Sequence, residues 1–463
     1  MGFMIRQIAE NAKLSDEVRL AAIETVIPPA TLRAVVSDLG AREKRCRKLP
    51  AELTMLLIVA MNMLTHYSMH QVLIKLLRGL RLIWPDPNFV AATKGAICQA
   101  RYRIGARPVV ELFHRVCKPM ATRATHGAFL FGLRLMAIDG TTEDVPDTPE
   151  NAKVFGRHTA GERGDGAFPQ VKAVYLTECG THAIVDAGFW PCRTSERTVG
   201  RRLLRSVTEG MLLMWDTGFH SFAMASMTRD SKAHFLCRLP SFPVLKPIAY
   251  LSDGSYLAYL RPEQRGPRRN EQLLVRIIKY TLTDPARTGY GEVHRLMTSL
   301  LDVENCPALE MVCAYHERWE IELAIDEIDT HQRLPLRPLR SQRPVAVIQE
   351  FYGLLIAHYV IRSIMHDAAL QADIDPDRLS FTNALALICD SIPEFQLVVS
   401  TQHPDLYRRL LQDIACHRLP ERDNRINPRV IKRKVLKFPV KRKCHRQWPQ
   451  PSTPFPAAVV MLN

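Results

Sequence analysis

The sequence predicts an α/β protein with a helical region in front and a β-rich insertion inside its mixed part. Three observations support this fold class. Apolar residues recur at helical spacing through residues 1–125, short extended runs begin at Phe129, and strand and turn patterns fill Pro240–Cys306 before helical spacing returns. With 463 residues, the chain is long enough for two to four domains.

The composition favours a globular protein that binds a polyanion. Hydrophobic residues make up 47% and charged residues 24%, which is ordinary for packed domains. The 62 Lys and Arg outnumber the 47 Asp and Glu, and the formal charge of +15 favours nucleic acid or an acidic membrane surface. The most apolar run, Leu53–Leu64, contains Thr54 and Asn62 and is shorter than the roughly 20 residues of a membrane span. We therefore expect no membrane insertion.

Neither the N-terminus nor the cysteines indicate export. The segment MGFMIRQIAENAK has no continuous apolar stretch and no small-residue cleavage site. The 11 cysteines form no CxxC pair and no metal-type spacing, which favours reduced core residues. We expect a cytoplasmic protein.

Helices are predicted throughout the first 125 residues, at Asp16–Val26, Pro29–Leu39, Ala51–Leu64, Met69–Leu80, Lys94–Ile104 and Pro108–Met120. The segment Thr93–Gly105 carries Arg101 and Arg103, and a basic run occupies residues 42–48. A short helix with exposed Arg that follows another short helix is consistent with a DNA-reading helix. A solvated surface helix has the same pattern, so both interpretations stay open.

Strands dominate the next region, at Phe129–Ile138, Gln170–Leu176 and His182–Phe189. The pattern then predicts helix 197–204, strand Met211–Trp215, helix Phe219–Arg229 and strand Phe235–Leu239. Asp139 follows the first strand and Asp216 follows the fourth. In open α/β sheets, ligands bind at strand ends.

The insertion Pro240–Cys306 shows hairpin patterns. A turn at Asp253-Gly254 separates two apolar runs, and Arg276–Leu282 and His294–Leu301 are further predicted strands.

The segment Ala308–Arg333 predicts one helix with two faces. Its apolar stripe consists of Ile321, Ala324, Ile325 and Ile328. A polar band lies beside the stripe and contains Tyr315, Arg318, Glu322, Asp326, Asp329 and Arg333. Taken alone, such a band is either a solvated face with ion pairs or one wall of an active site.

The C-terminal part predicts helices at Gln342–Asp367 and Ser380–Asp413 with a break at Pro393. Residues 418–446 hold twelve Lys and Arg, so we expect a basic tail that binds phosphates through charge. The Pro-rich last seventeen residues are expected to be disordered.

Three carboxylates on separate elements, Asp139, Asp216 and Glu322, form a candidate divalent-metal site. Carboxylate oxygens suit Mg²⁺ or Mn²⁺, and two such ions can promote phosphodiester cleavage. The alternatives are a turn or helix cap for each Asp and an ion-pair partner for Glu322. No nucleophile elbow, HExxH or zinc pattern is present.

These residues resemble the DDE transposases of bacterial insertion sequences, specifically the insertion-sequence-four group. The last acid of that group lies in a Tyr-x2-Arg-x3-Glu-x6-Lys pattern, and Tyr315, Arg318 and Glu322 match its first three members. Asp139 in AIDGTTEDVP resembles the first acid, and Asp216 in LLMWDTGF resembles the second.

The resemblance implies a ribonuclease-H-like catalytic domain with a β-rich insertion, preceded by an all-helical N-terminal domain and followed by helices and a basic tail. We expect a DNA-binding N-terminal domain at 1–125, which recognises terminal inverted repeats. The catalytic domain is expected at 126–239 and 307–371, the insertion at 240–306, helices at 372–417 and the tail at 418–463.

The resemblance also implies catalysis with Mg²⁺ bound by Asp139, Asp216 and Glu322, and DNA contacts from Tyr315 and Arg318. The expected partners are double-stranded DNA, as inverted repeats and target, and a second copy of the chain on paired DNA ends. The expected location is the bacterial cytoplasm, in association with the nucleoid. The inverted-repeat sequence, the target preference and a hairpin intermediate do not follow from the sequence.

Two departures from the family pattern leave a second interpretation open. Asp329 stands where the pattern has Lys, and Thr217 stands where Arg usually follows the second acid. Arg333, one turn further on, could replace the Lys as a DNA contact. The alternative is therefore a weakened or inactive transposase-derived DNA-binding protein. The insertion contains no Trp for base stacking, so Tyr256, Tyr259 or Tyr280 is expected to serve instead.

Overall fold

The computed structural model describes ten stretches of the chain: residues 23–41, 49–77, 91–158, 166–242, 244–262, 270–287, 289–333, 338–398, 400–420 and 451–462. The predicted basic run at 42–48 and most of the predicted tail lie outside the described residues. The chain divides into two compact units. Unit 1 comprises Met1–Phe129, Leu135–Ser206 and Glu320–Leu419, and unit 2 comprises Leu130–Arg134, Val207–Trp319 and Pro420–Asn463.

The described helices include one long helix and many short ones. In chain order they are α1 Ile23–Val26, α2 Pro29–Asp38, α3 Ala51–Met63, α4 Met69–Leu76, α5 Lys94–Ile104, α6 Arg107–Val116, α7 Pro149–Phe155, α8 Glu196–Gly200, α9 Phe222–Asp230, α10 Ala308–Glu317, α11 Trp319–Asp326, α12 Pro344–Ala372, α13 Phe381–Leu397, α14 His403–Cys416 and α15 Phe455–Ala458. A 3₁₀ turn at Arg201–Ser206 follows α8, and a π-helical turn at Glu327–Gln332 follows α11.

The strands are β1 Phe129–Leu130, β2 Leu133–Asp144, β3 Gln170–Glu178, β4 Ala183–Pro191, β5 Met211–Trp215, β6 His234–Arg238, β7 Ala249–Tyr250, β8 Tyr256–Leu260, β9 Leu273–Leu282, β10 His294–Thr298 and β11 Val459–Met461. The protein is therefore α/β, as predicted, and the order of helices and strands along the chain agrees with the sequence pattern.

The N-terminal region is helical as predicted, over the residues that the structure describes. Local sequence sets the helix limits. Ser68 and Gln71 form a reciprocal capping box at the start of α4. Thr93 caps α5 by accepting a hydrogen bond from the Ala96 N–H, and Gly105, with φ 67°, ends that helix.

Unit 1 contains the antiparallel strands β2, β3 and β4, with β3 in the middle. The prediction that the first strand ends before Asp139 is wrong. Strand β2 continues to Asp144, and Asp139 lies opposite Tyr175 of β3. The β-branched residues Thr141 and Thr142 favour extended backbone, and β3 is long enough to pair with them, so the strand does not end at Asp139.

The core of unit 1 is built around the 29-residue helix α12. Helices α3, α6, α13 and α14 and strand β4 pack against it. Among the described residues this helix alone is long and apolar enough to cross a membrane, but 83% of its apolar window is buried inside the protein. The predicted break at Pro393 is wrong, because α13 continues through Pro393 to Leu397.

Unit 2 shows that the insertion extends a sheet instead of forming a separate one. Strands β5 and β6 are parallel, and β10 of the insertion pairs with β6 in antiparallel register. The order then continues through β9 and β8 to β7. The predicted turn at Asp253-Gly254 lies between β7 and β8. The insertion is thus joined directly to the strand next to the one that precedes Asp216.

The expected disorder of the chain end is wrong for residues 451–462. Strand β11 pairs with β9, and Ser452 and Thr453 bond to the Asp284 carboxylate. The ring of Phe455 stacks on His316 of α10 with 3.9 Å between centroids. The sequence of the Pro-rich chain end did not indicate these contacts, because each partner lies more than 100 residues away along the chain.

The segment Ala308–Arg333 is not one uniform helix. It consists of α10, α11 and the π-helical turn, and Arg318 lies between the first two. The Arg318 N–H bonds to the carbonyl of Tyr315, three residues back, which interrupts the i to i−4 pattern. The apolar stripe is confirmed, because Ile321, Ala324 and Ile328 are buried.

Candidate active site

The second predicted acid, Asp216, directly follows β5 in unit 2, as expected. It is half-buried, and its Oδ1 accepts a hydrogen bond from the Gly218 N–H at 2.8 Å. The preceding residue, Trp215, is fully buried with its ring 5.3 Å from that of Phe235. The carboxylate thus stands at the end of a rigid buried strand.

The other two predicted acids belong to unit 1. Asp139 is half-buried within β2, and its Oδ1 accepts a hydrogen bond from the Gly140 N–H at 2.7 Å. Glu322 is half-buried on α11, next to the buried Ile321. Since Asp139 and Glu322 belong to one unit and Asp216 to the other, the convergence of all three remains a prediction.

Tyr315 is half-buried and Arg318 is buried in unit 2, and the contact of both residues with DNA remains a prediction. The Tyr315 hydroxyl donates to the backbone carbonyl of Trp215 at 3.2 Å. Burial raises the pKa of Tyr315 well above its usual value, and the positive charge of Arg318 opposes that shift. Arg318 is buried, with its guanidinium carbon 5.8 Å from the centre of the Tyr315 ring.

Arg333 and Asp329 belong to an ion-pair group of unit 1. The Arg333 guanidinium lies 2.5 Å from Oε2 of the buried Glu143 and 3.5 Å from Oδ1 of Asp329. Only 11% of the Arg333 side chain is exposed. The prediction that Arg333 replaces the family Lys as a DNA contact is therefore wrong, because its charge neutralises Glu143 and Asp329.

Two protein-family models match this chain. The "Insertion element 4 transposase N-terminal" model matches residues 17–114, and the "Transposase DDE domain" model matches residues 130–360. Together they cover most of the sequence. The chain belongs to the insertion-element-4 family of DDE transposases. The DDE match includes Asp139, Asp216 and Glu322.

Individual relatives agree with this assignment. "Transposase InsG for insertion sequence element IS4" of Escherichia coli (strain K12) is 29% identical over 91% of this chain and 93% of its own length. "Putative transposase InsZ" of the same strain is 30% identical over 128 residues, which are 28% of this chain and 43% of the relative. A solved piggyBac transposase synaptic complex with hairpin DNA overlaps 84% of each chain with 11% identity and a TM-score of 0.43.

In this DDE transposase, the two arginines of α5 differ in their surroundings. Arg101 is 3% exposed and donates to Gln349, to Ser341 Oγ and to the carbonyl of Ala346. The prediction that Arg101 contacts DNA is therefore wrong, since its guanidinium ties α5 to α12 inside unit 1. The sequence carried a signal, because Arg101 lies four residues after the buried Ile97 on the same helix face.

Arg103 is exposed, and its Nη2 donates to the carbonyl of Leu49 at 2.9 Å. Its contact with DNA remains a prediction.

The tyrosines of the insertion also differ in how far they are exposed to solvent. Tyr256 and Tyr280 are only 2% and 8% exposed, so the prediction that either stacks on a base is wrong. Tyr259 is 40% exposed and remains a candidate. Sequence reasoning missed Tyr250, which is more exposed than Tyr259 and lies in the edge strand β7.

Sequence reasoning also missed a buried charged cluster in unit 1. The ligand atoms of His182, Glu320 and Asp377 lie within 4.8 Å of one another, which is the spacing of a metal site. The Arg362 guanidinium also contacts His182 and lies 3.6 Å from Asp377. Because the fixed positive charge of Arg362 already lies against two of the three members, we interpret the cluster as a buried ion network. No local motif could reveal it, since its members lie in distant segments.

Proposed function

We propose that this transposase cuts DNA at the terminal inverted repeats of an insertion sequence and joins the freed 3′ ends to target DNA. The observation that carries the proposal is the match of the DDE domain model to residues 130–360. This region contains Asp139 on β2, Asp216 after β5 and Glu322 on α11. The proposed fold of this region is ribonuclease-H-like, and the proposed assembly is a homodimer on paired DNA ends.

The donor chemistry of the three acids fits Mg²⁺, with Mn²⁺ as a substitute. All three are half-buried carboxylates, and Mg²⁺ prefers such hard oxygen ligands. In Asp139 and Asp216, one carboxylate oxygen accepts a hydrogen bond from a backbone N–H within two residues, which fixes the direction of the side chain. When bound, divalent ions would activate a water or a 3′ hydroxyl and stabilise the leaving oxygen.

DNA binding in this proposal depends on the positive charge of the chain. The formal charge of +15 favours association with phosphates, and the twelve Lys and Arg of residues 418–446 concentrate part of it. Within the helical region that matches the N-terminal model, the exposed Arg103 is the proposed contact to inverted-repeat DNA. Such binding should weaken steeply as salt rises.

A cleavage assay tests the proposal. Purified protein is incubated with Mg²⁺ and end-labelled duplexes that carry the inverted repeats flanking this reading frame. We expect strand cleavage that Asp139→Asn, Asp216→Asn and Glu322→Gln each abolish while DNA binding persists. Asp326→Asn, which changes an exposed acid of the same helix α11, is the matched control and should leave cleavage unchanged. Cleavage that survives all three site substitutions would overturn the assignment.

A further inference from the structure

Two buried glutamates, one in α11 and one at the start of the π-helical turn, contact the same loop of unit 1. Glu320 is 6% exposed, and its carboxylate accepts a hydrogen bond from the N–H of Gly180. The Glu327 side chain is 12% exposed, and its Oε1 lies 3.2 Å from Nδ1 of His182. Gly180 and His182 both belong to the turn at 179–182, which joins β3 to β4. Glu320 and Glu327 thus form a two-point clamp on this turn.

The helical spacing places the two clamp residues on one face. They are seven residues apart, which at about 100° per residue brings their directions to within about 20° of each other. Glu322, the proposed metal ligand, lies roughly 140–160° away from both around the helix axis. The helix therefore uses one face for attachment to the turn and carries Glu322 on a different side.

The long helix α12 holds the same segment from another direction. Oε2 of Glu327 accepts hydrogen bonds from Nε2 of His358 at 2.9 Å and from Nε of Arg362 at 3.0 Å. Both of these α12 side chains are buried. At the end of the π-helical turn, the Gln332 amide donates to the carbonyl of Leu354, also in α12, at 3.0 Å. The segment therefore cannot rotate about its axis without breaking several buried hydrogen bonds.

The turn that receives the clamp has a constrained backbone. His182 has φ 56°, a left-handed conformation that residues other than glycine rarely adopt. Gly180 has φ 80°, and a Cβ at this position would lie 2.7 Å from the carbonyl oxygen of His126. Such conformations persist only where the surrounding structure holds them. The turn is therefore a rigid support for α11.

The same turn is continuous with the strand next to Asp139. Strand β3 leads directly into it, and Tyr175 of β3 lies opposite Asp139 of β2. A chain of contacts within unit 1 thus connects Glu322 to Asp139 through α11, the clamp and β3. Mg²⁺ tolerates little deviation from ligand distances of about 2.0–2.1 Å. A small rotation of α11 would therefore weaken metal binding by these two acids.

We propose that Glu320 and Glu327 are positioning residues, which hold α11 on the β3–β4 turn and so set where Glu322 stands relative to Asp139. This inference rests on the proposed function, because it assumes that Asp139 and Glu322 bind the divalent ion. Both clamp residues act through the orientation of the helix, and neither is itself a proposed metal ligand.

The test compares Glu327→Gln with Glu350→Gln in the full-length chain. Glu350 is a buried glutamate of α12 that pairs with Arg340, so its variant is a matched loss of a buried carboxylate away from α11. Calorimetric titration with Mn²⁺ in the absence of DNA should show roughly tenfold weaker binding for Glu327→Gln, the lower end of the effect of removing an outer-shell partner. Glu350→Gln should bind Mn²⁺ as the wild type does. Equal losses of Mn²⁺ affinity in both variants would overturn the inference.

Two further variants separate positioning from folding. Glu327→Asp keeps the negative charge beside Arg362 and shortens the side chain by one methylene, so it decides the question if circular dichroism shows that Glu327→Gln does not fold. Glu320→Ala removes the acceptor for the Gly180 N–H. We expect weaker Mn²⁺ binding in both. A folded Glu327→Asp or Glu320→Ala protein with wild-type Mn²⁺ affinity would overturn the role of the residue that it replaces.

Cleavage distinguishes this inference from the proposed function. Raising the Mg²⁺ concentration should restore cleavage of inverted-repeat DNA by Glu327→Asp, because its proposed metal ligands are intact, whereas Glu322→Gln should stay inactive at every concentration. A Glu327→Asp protein whose cleavage does not respond to Mg²⁺ would contradict the positioning role. Failure of the proposed function looks different: the wild type would bind Mn²⁺ and yet cut no DNA.

Discussion

The two ends of the segment Ala308–Arg333 satisfy their polar side chains in different ways. Near its start, Tyr315 donates to a backbone carbonyl, a neutral contact that fixes a strand end. At its end, Arg333 pairs with the buried carboxylate of Glu143. In the sequence, both residues belong to one polar band. The comparison shows that a shared face on a predicted helix does not imply a shared role.

The ion pair at the end of the segment should contribute most to stability. Arg333→Ala leaves Glu143 buried without its guanidinium partner, so we expect the free energy of unfolding to fall by about 3 kcal/mol. Arg408→Ala is the control, because Arg408 and Asp405 are both more than half exposed and such pairs contribute about 0–1 kcal/mol. Urea denaturation measures both variants. Equal losses would show that Arg333 does not neutralise Glu143.

A smaller effect is expected at the start of the segment, where Phe455 stacks on His316. Phe455→Leu keeps an apolar side chain and removes the ring contact, which should cost about 1 kcal/mol. Leu309→Ala, an exposed position on the same helix, is the control and should change stability by less. If Phe455→Leu is neutral in thermal unfolding, the chain end contributes no measurable stability through this stack.

The smallest expected effect is a pH dependence at His316. Desolvation, and after it the charge of Arg287, lowers the pKa of its imidazole from 6.5 toward about 4, but His316 is exposed in the folded protein, so solvent screens much of this shift and the effect on stability is small. The unfolded chain therefore takes up a proton between these two pH values while the folded chain does not, so stability falls as pH decreases from about 6.5 toward 4. In the His316→Gln variant, the midpoint temperature of unfolding should depend less on pH over this range than in the wild type. If the variant shows the same dependence of the unfolding midpoint on pH as the wild type, His316 is not the group responsible for it.

The sequence predicted the elements whose pattern is local. Strand Met211–Trp215 and helix Lys94–Ile104 have the predicted limits, because a short apolar run and a Thr cap with a terminal Gly are visible within a few residues. The family resemblance in turn depended on spacings within single motifs, such as Tyr315 to Glu322.

The errors concern residues whose partners are distant in sequence. Arg101 was expected on the surface, but its acceptors lie about 240 residues later along the chain. Strand β2 passes through Asp139 because β3 provides paired backbone groups, and the chain end is ordered because β9 does the same for β11. The residues close to Arg101, Asp139 or the chain end in the sequence do not indicate the distant acceptors and strands with which they pair.

The most direct test of the central claim, that Asp216 binds the catalytic metal, is a change of metal specificity. Asp216→Cys replaces a hard oxygen ligand with a thiolate, which prefers softer ions than Mg²⁺. We predict that Asp216→Cys does not cleave inverted-repeat DNA in Mg²⁺ and that cleavage returns in Mn²⁺, whereas Asp216→Ala is inactive in both. Equal activity of the Cys and Ala variants in Mn²⁺, or full activity of Asp216→Cys in Mg²⁺, would contradict the account.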